Sequence, residues 1–276
     1  MEIFRSVFDN FMHIRRSGFY MESVKLFKQY GGTSINLVNF PEYNSGPENY
    51  YDKLYSDTVK TADDVKNNGI NAVITIGPYP LDYFYFLNNN KEPVLYMEKG
   101  IDLAIKYINN GKADVLGEIG YPHFPVSDDM YEKSGEILKY AMDSCKDYGI
   151  PIILHTEDMD NKRYLEIESM AKNHYNINKI MKHHANASDL NYKNNILKSI
   201  VASRNNVREA IESKNDFLLE TDYTDQKEKI NKVIPPYSVP KRALMIKNGY
   251  SNYDEILNKI FIDIPYRFYQ KDFFII

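Results

Sequence analysis

The chain has 276 residues, 43% of them hydrophobic and 26% charged, with a formal net charge of −4. That composition excludes global disorder, and the length is ordinary for one α/β barrel, so one domain over residues 1–276 is expected. The acidic balance excludes stable nucleic-acid binding by bulk positive charge, though not a nuclease that grips phosphates through bound metal.

The single cysteine, Cys145, rules out an intrachain disulfide and fits a reducing compartment. It falls in a helical run, so a buried structural thiol is expected rather than a nucleophile. The opening MEIFRSVFDNFMHIRR has no apolar core followed by a small-residue cleavage site, and no run approaches about 20 apolar residues. A cytoplasmic protein without a membrane partner is therefore expected.

Short β-branched runs alternate with segments of helical period. The first run, 6–11, leads into His13, and a helix over 20–30 stops at Gly31-Gly32. Run two is 33–40. A long segment, 48–68, closes at Gly69, and run three, 71–76, meets Gly77-Pro78. The Asn-rich stretch 88–91 reads as a loop tip, and a helix over 97–110 ends at Gly111. Run four is 113–119, followed by a helix over 128–148; run five, 151–154, enters His155, with a helix over 162–174. Run six, 179–182, enters His183. Run seven is 199–203, a short helix covers 206–213, run eight is 216–220, and the tail 241–276 packs one or two helices back on the barrel.

Eight strands separated mostly by helices predict a single (β/α)8 TIM barrel, an α/β fold with C-terminal helices packed on it. A doubly wound open sheet would want a glycine-rich first turn, and no GxGxxG or GxxxxGK occurs.

The chemistry collects at the ends of these runs. His13 ends run one, Glu118 lies near the end of run four, His155 and His183 end runs five and six, and Asp222 follows run eight. In a closed barrel these ends converge on one pocket. Each residue alone has a bland reading: a hydrogen-bonded structural histidine, Glu118 paired with Lys182, Asp222 capping a loop. Five of them on five strand ends point instead to a metal site, since imidazole and carboxylate suit divalent transition metals. A carboxylate such as Glu118 can bridge two ions, and Asp222 can take a proton from metal-bound water.

Strand alternation turns His184 away from His183, and His174 is expected to be solvated. His123, in the loop after run four, either touches substrate or packs between prolines. Arg15, Arg16, Lys182, Arg204, Lys241 and Arg242 lie in or near strand-end loops and are candidates to bind an anionic substrate, above all phosphate. Of these Arg204 is carried forward, with His123, as a substrate-binding candidate.

At this point the sequence resembles the archaeal branch of TatD-related metal-dependent hydrolases, in the amidohydrolase-like superfamily. The resemblance runs through FDNFMHI (8–14), GGTSINLVNFPEY (31–43), GPYPLD (77–82), GEIGYPHFPV (117–126), LHTED (154–158), KHHA (182–185), VASRNN (201–206) and LLETDY (218–223). It implies a first metal site on His13, Glu118 and Asp222 together with a further first-strand histidine. A second site falls on Glu118, His155 and His183.

Where the family pattern would read Asp-Asn-His-Met-His, this chain reads Asp9-Asn10-Phe11-Met12-His13. Residues 9, 11 and 13 share a strand face, so a phenyl ring that cannot ligate points at the pocket. Asp9 is expected to be a hydrogen-bond acceptor behind the site rather than a substitute ligand. The expected cofactor is a divalent ion (Zn, Mn or Mg), one firmly held on Glu118, His155 and His183, with a second looser one between His13 and Asp222. The implied activity is hydrolysis of phosphodiester bonds in a small-molecule or nucleic-acid substrate. An amide or ester hydrolase, and a degenerate barrel that binds metal or ligand without turnover, are the alternatives.

Overall fold

A run of Val, Ile and Leu buried on both faces survives only inside a sheet covered on both sides. Several strands of this chain follow that pattern, and the others are also largely buried. The computed structural model describes residues 5–229 and 232–274; the first four residues and the last two of the expected tail lie outside the described residues. Strands β1 (Phe8–His13), β2 (Ser34–Val38), β3 (Asn71–Ile76), β4 (Val115–Gly120), β5 (Ile152–His155), β6 (Ile180–Ala185) and β7 (Leu197–Val201) pair in parallel, each with the next. The last strand comes in two pieces, β8 (Leu218–Glu220) and β9 (Tyr223–Thr224). β8 pairs with β7 and β9 pairs with β1. Because only Thr221 and Asp222 separate the two pieces, the sheet is joined end to end, and the expected α/β barrel is the observed class.

Helices α1 (Met21–Gln29), α2 (Tyr50–Asn67), α3 (Asp82–Asn88), α4 (Pro93–Asn109), α5 (Asp128–Cys145), α6 (Asn161–His174) and α7 (Arg204–Glu212) cover the outside. Their apolar stripes meet the outward strand residues in one core, including Phe27, Tyr55, Ile101, Leu138 and Tyr164. A second core joins Phe8, Phe11, Met181 and Leu219 to α8 (Ser238–Gly249), α9 (Tyr253–Asn258) and α10 (Ile264–Tyr269).

Several boundaries differ from the sequence reading. Run seven begins at Leu197, two residues early, and run four extends to Gly120. The helix over 128–148 is α-helical to Cys145 and tightens to a 3-10 turn over Lys146–Tyr148, which ends at left-handed Gly149. α3 was not anticipated, because its aromatic sequence DYFYFLN is a poor helix former. It owes its place to packing and to Asp82 at its first position. That carboxylate is fully buried and accepts hydrogen bonds from the hydroxyls of Tyr43, Tyr50 and Tyr51, each at 3.0 Å, and from the Tyr79 amide at 3.0 Å. Cys145 is fully buried, and burial pushes its thiol up to about 12, as suits a structural residue. Among the described residues no helix is long and apolar enough to cross a membrane.

Candidate metal centre

The parallel strands deliver their last residues to one end of the barrel, where a cleft of about 500 Å³ opens. His13, Glu118, His155, His183 and Asp222 all line it. Around Glu118 the donors converge tightly. Its Oε2 lies 2.6 Å from His155 Nδ1 and 2.9 Å from His183 Nε2, and the two nitrogens are 3.0 Å apart. Among the described residues this is the one group of three or more metal-ligating side chains whose donor atoms lie together.

The backbone beneath is tightly specified. At Gly120, with φ of 143°, a Cβ would sit 2.4 Å from the carbonyl oxygen of His155, so only glycine lets β4 and β5 approach there. The same carbonyl accepts the Tyr121 amide at 2.9 Å.

The other side of the cleft is looser. His13 Nε2 is 3.7 Å from Glu118 Oε1 and 3.8 Å from Asp222 Oδ1. His13 Nδ1 is 3.0 Å from the carbonyl oxygen of Val38. A carbonyl can only accept, so Nδ1 carries the proton and a neutral ring turns its Nε2 lone pair toward the carboxylates. Phe11 fills the place between the two sides. It is fully buried, stacks on His183 with centroids 4.0 Å apart and planes 10° apart, and meets the His13 ring edge to face at 5.1 Å.

Asp9 is buried below and accepts from the Thr221 hydroxyl at 2.7 Å and the Thr221 and Phe11 amides at 3.0 and 3.2 Å. It therefore holds the break between β8 and β9 instead of reaching the cleft. The Asp222 amide donates to the Phe11 carbonyl at 3.1 Å, so β1 fixes Asp222 through its backbone.

Electrostatics sharpen the contrast. Burial would push the Glu118 carboxyl up, but the flanking His155 and His183 rings prevail and hold it well below the usual range. Burial lowers both imidazoles. For His155 it wins, bringing the ring down to about 4, whereas Glu118 and Glu220 carry His183 up to about 10. Burial also lowers His13 and raises Asp222 to about 7.

His184 corrects the expectation from strand alternation. The register of β6 against β7 shifts between Lys182 and Ala185, and His184 adopts φ of 50° with its amide donating to Glu220 Oε1 at 2.8 Å. Both histidines therefore reach the cleft, and His184 Nδ1 lies 3.3 Å from Asp222 Oδ2. Asp222 is also left-handed, at φ of 48°. Such positions concentrate at functional sites.

The remaining candidates divide. His123 lines the cleft, with Nδ1 3.1 Å from His155 Nε2. Lys182 is buried and donates to the carbonyls of His183 at 2.8 Å and Thr156 at 3.3 Å, so the pairing of Glu118 with Lys182 does not form. Arg204 is not in this cleft; with Lys241 and Arg242 it lines a separate one on the flank. Arg15 is held by Asp225 at 3.1 Å and Arg16 by Asp64 at 2.6 Å. His174 pairs with Asp143 at 2.7 Å. Two neighbours were missed from the sequence. Tyr79 sets its ring edge against His155 at 4.9 Å, and buried Glu220 approaches His183 Nδ1 to 3.4 Å, outside hydrogen-bond geometry.

Comparisons with known proteins agree with this architecture. An uncharacterised protein of Methanocaldococcus jannaschii is 29% identical over 287 residues, covering 99% of both chains. A TatD-like protein from Archaeoglobus fulgidus superposes with a TM-score of 0.61 at 16% identity, over 90% of this chain and 95% of that one. A phosphotriesterase homology protein from Escherichia coli gives a TM-score of 0.60 at 14% identity, over 96% and 99%. A TatD homologue of Escherichia coli gives 0.56 at 14%, over 94% and 98%. These distant likenesses speak to the fold alone. The family described as TatD related DNase matches residues 8–270, and the chain belongs to it.

Proposed function

We propose that this chain is a metal-dependent hydrolase that cleaves phosphodiester bonds. The observation that carries the reading is the triangle of Glu118 Oε2, His155 Nδ1 and His183 Nε2, whose sides are 2.6, 2.9 and 3.0 Å. Two imidazole nitrogens and a carboxylate oxygen turned toward one point are a donor set for Zn or Mn, and they fit a divalent ion. A second, looser ion would fall to His13 and Asp222. A divalent ion supplies Lewis acidity here, lowering the pKa of a water and polarising a phosphoryl oxygen.

The chain's own groups do the rest. Asp222, raised to about 7 by burial, accepts a proton near neutral pH. Phe11 keeps water from the back of His183 and fixes its ring plane. His123 stands at the mouth of the cleft, where it meets substrate. The family's description as a DNase supports the phosphodiester reading, as does the phosphate in the active site of the Escherichia coli phosphotriesterase homology protein.

Hydrolysis of bis(4-nitrophenyl) phosphate by protein loaded with Zn, Mn or Mg tests the proposal. Turnover is expected, and Asp222→Asn should lower kcat by about 100-fold or more. An ion bound by Glu118, His155 and His183 without any turnover would favour the second reading, a barrel that binds metal without catalysis. The observation on its side is the Phe11 ring in the ligand position.

A further inference from the structure

Arg204 and Arg208, one turn apart on α7, face Lys241 and Arg242 of α8 across a cleft of about 480 Å³, with Leu244 and Met245 on its wall. Among the described residues none of these four cations has a carboxylate within ion-pair distance. Elsewhere on this acidic chain four of the five other arginines are matched: Arg15 with Asp225, Arg16 with Asp64, Arg163 with Glu157 and Arg267 with Asp216, which leaves exposed Arg5.

Arg242 is the least satisfied. Its Nε is buried without a hydrogen-bond partner, and its Nη1 finds only the Met245 sulfur, at 3.7 Å. Burial and then the neighbouring Arg204 hold its guanidinium below the usual arginine value. Like charges gathered around an unpaired donor are a place where an anion lowers the energy of the fold.

The cleft has an aromatic margin. Lys241 Nζ lies 4.2 Å from the centre of the Tyr237 ring and 5.0 Å from that of Tyr30. Those rings stack at 4.5 Å with planes 23° apart, and Tyr30 is 38% exposed. Arg204 begins α7 three residues after β7 ends, at the end of the barrel that carries the metal centre.

We propose that this cleft is a second, non-catalytic site that grips the phosphate backbone of a single-stranded nucleic acid, with the Tyr30–Tyr237 pair as a stacking surface for a base. A small anion needs one or two donors, whereas cations spread over two helices beside stacked rings match the alternation of phosphate and base along a strand. The choice of nucleic acid rests on the phosphodiesterase reading; the cation cluster does not.

The test measures anisotropy of a fluorescein-labelled 15-mer of deoxythymidine in EDTA, which leaves the metal centre out of the binding. Labelled polyglutamate is the second probe. Replacing Arg204, Arg208 and Arg242 together by Gln, with folding checked by circular dichroism, should weaken DNA binding at least tenfold. The slope of log K against log salt should fall by about 2, at about 0.7 per cation removed. Tyr30→Ala should weaken DNA binding and leave polyglutamate unaffected.

An unbound wild type, a triple variant that binds like wild type, or equal affinity for both probes with no effect of Tyr30→Ala would overturn the proposal. Bis(4-nitrophenyl) phosphate hydrolysis separates the two claims, because that substrate is too small to span both clefts. Loss of strand binding in an inert protein would sink the hydrolase and keep the anion site, and unaltered strand binding in an active one would do the reverse.

Discussion

The two sides of the metal cleft are built from the same barrel and end differently. On the β4–β5–β6 side three donors close to within 3.0 Å of one another. On the β1–β8 side His13 stands 3.7 Å from Glu118 and 3.8 Å from Asp222, with a phenyl ring beside it. Backbone support is not what distinguishes them, since the Asp222 amide is tied to β1 at 3.1 Å much as the Tyr121 amide is tied to β5 at 2.9 Å. One side chain makes the difference. A ligand position filled by an apolar ring leaves its neighbours in place but without a centre to converge on.

That comparison breaks most readily at the tight side. His155→Ala or His183→Ala should weaken zinc binding by more than the 10- to 100-fold or so typical of losing a residue behind a metal ligand, whereas His13→Ala should cost much less and His174→Ala nothing. Isothermal titration with zinc reads all four. Equal losses at His13 and His155 would erase the asymmetry.

A smaller effect is expected from restoring the loose side. Phe11→His should raise bound metal above the wild-type ratio, at a cost of about 1–3 kcal/mol in the stability of the metal-free protein, because a fully buried ring is exchanged for a polar one. Elemental analysis and denaturant melts measure the two terms, and an unchanged ratio would remove Phe11 from the site. Glu220→Gln should weaken metal binding about tenfold by withdrawing the charge beside His183.

The smallest effect lies outside the cleft. Burial raises Asp82 from 3.8 to about 7, so its folded form holds a proton that the unfolded chain releases. Its contribution to stability is intact below pH about 4 and is lost as pH rises toward 7, with a slope of at most roughly 1.4 kcal/mol per pH unit. Asp9, raised to about 8 by burial, acts in the same direction. Asp82→Asn should flatten the fall of Tm with pH in the metal-free protein, and an unaltered slope would mean that burial does not keep this carboxyl protonated against the hydrogen bonds of its tyrosine cage, which favour the ionised form.

Most of the strand ends were legible because a barrel turns linear order into convergence. A histidine or carboxylate closing a β-branched run needs no long-range knowledge to be placed in the cleft. His184 escaped that logic, since a register shift and one left-handed residue undo alternation and neither leaves a mark in composition. Arg204 was drawn to the wrong cleft because Ser203 caps α7 through its side chain and starts the helix at once, carrying Arg204 to the flank. The Asp82 cage was hidden for another reason. Its partners Tyr43, Tyr50 and Tyr51 come from a segment on the far side of β3, and no local pattern couples them.

The central claim, that Glu118, His155 and His183 hold a metal ion, is tested most directly by counting ions. Elemental analysis of the protein purified without chelators, and again after dialysis against zinc or manganese, should give at least one ion per chain in the wild type and none in Glu118→Ala. An ion-free wild type under every condition, or a Glu118→Ala variant that keeps its ion, would contradict the account.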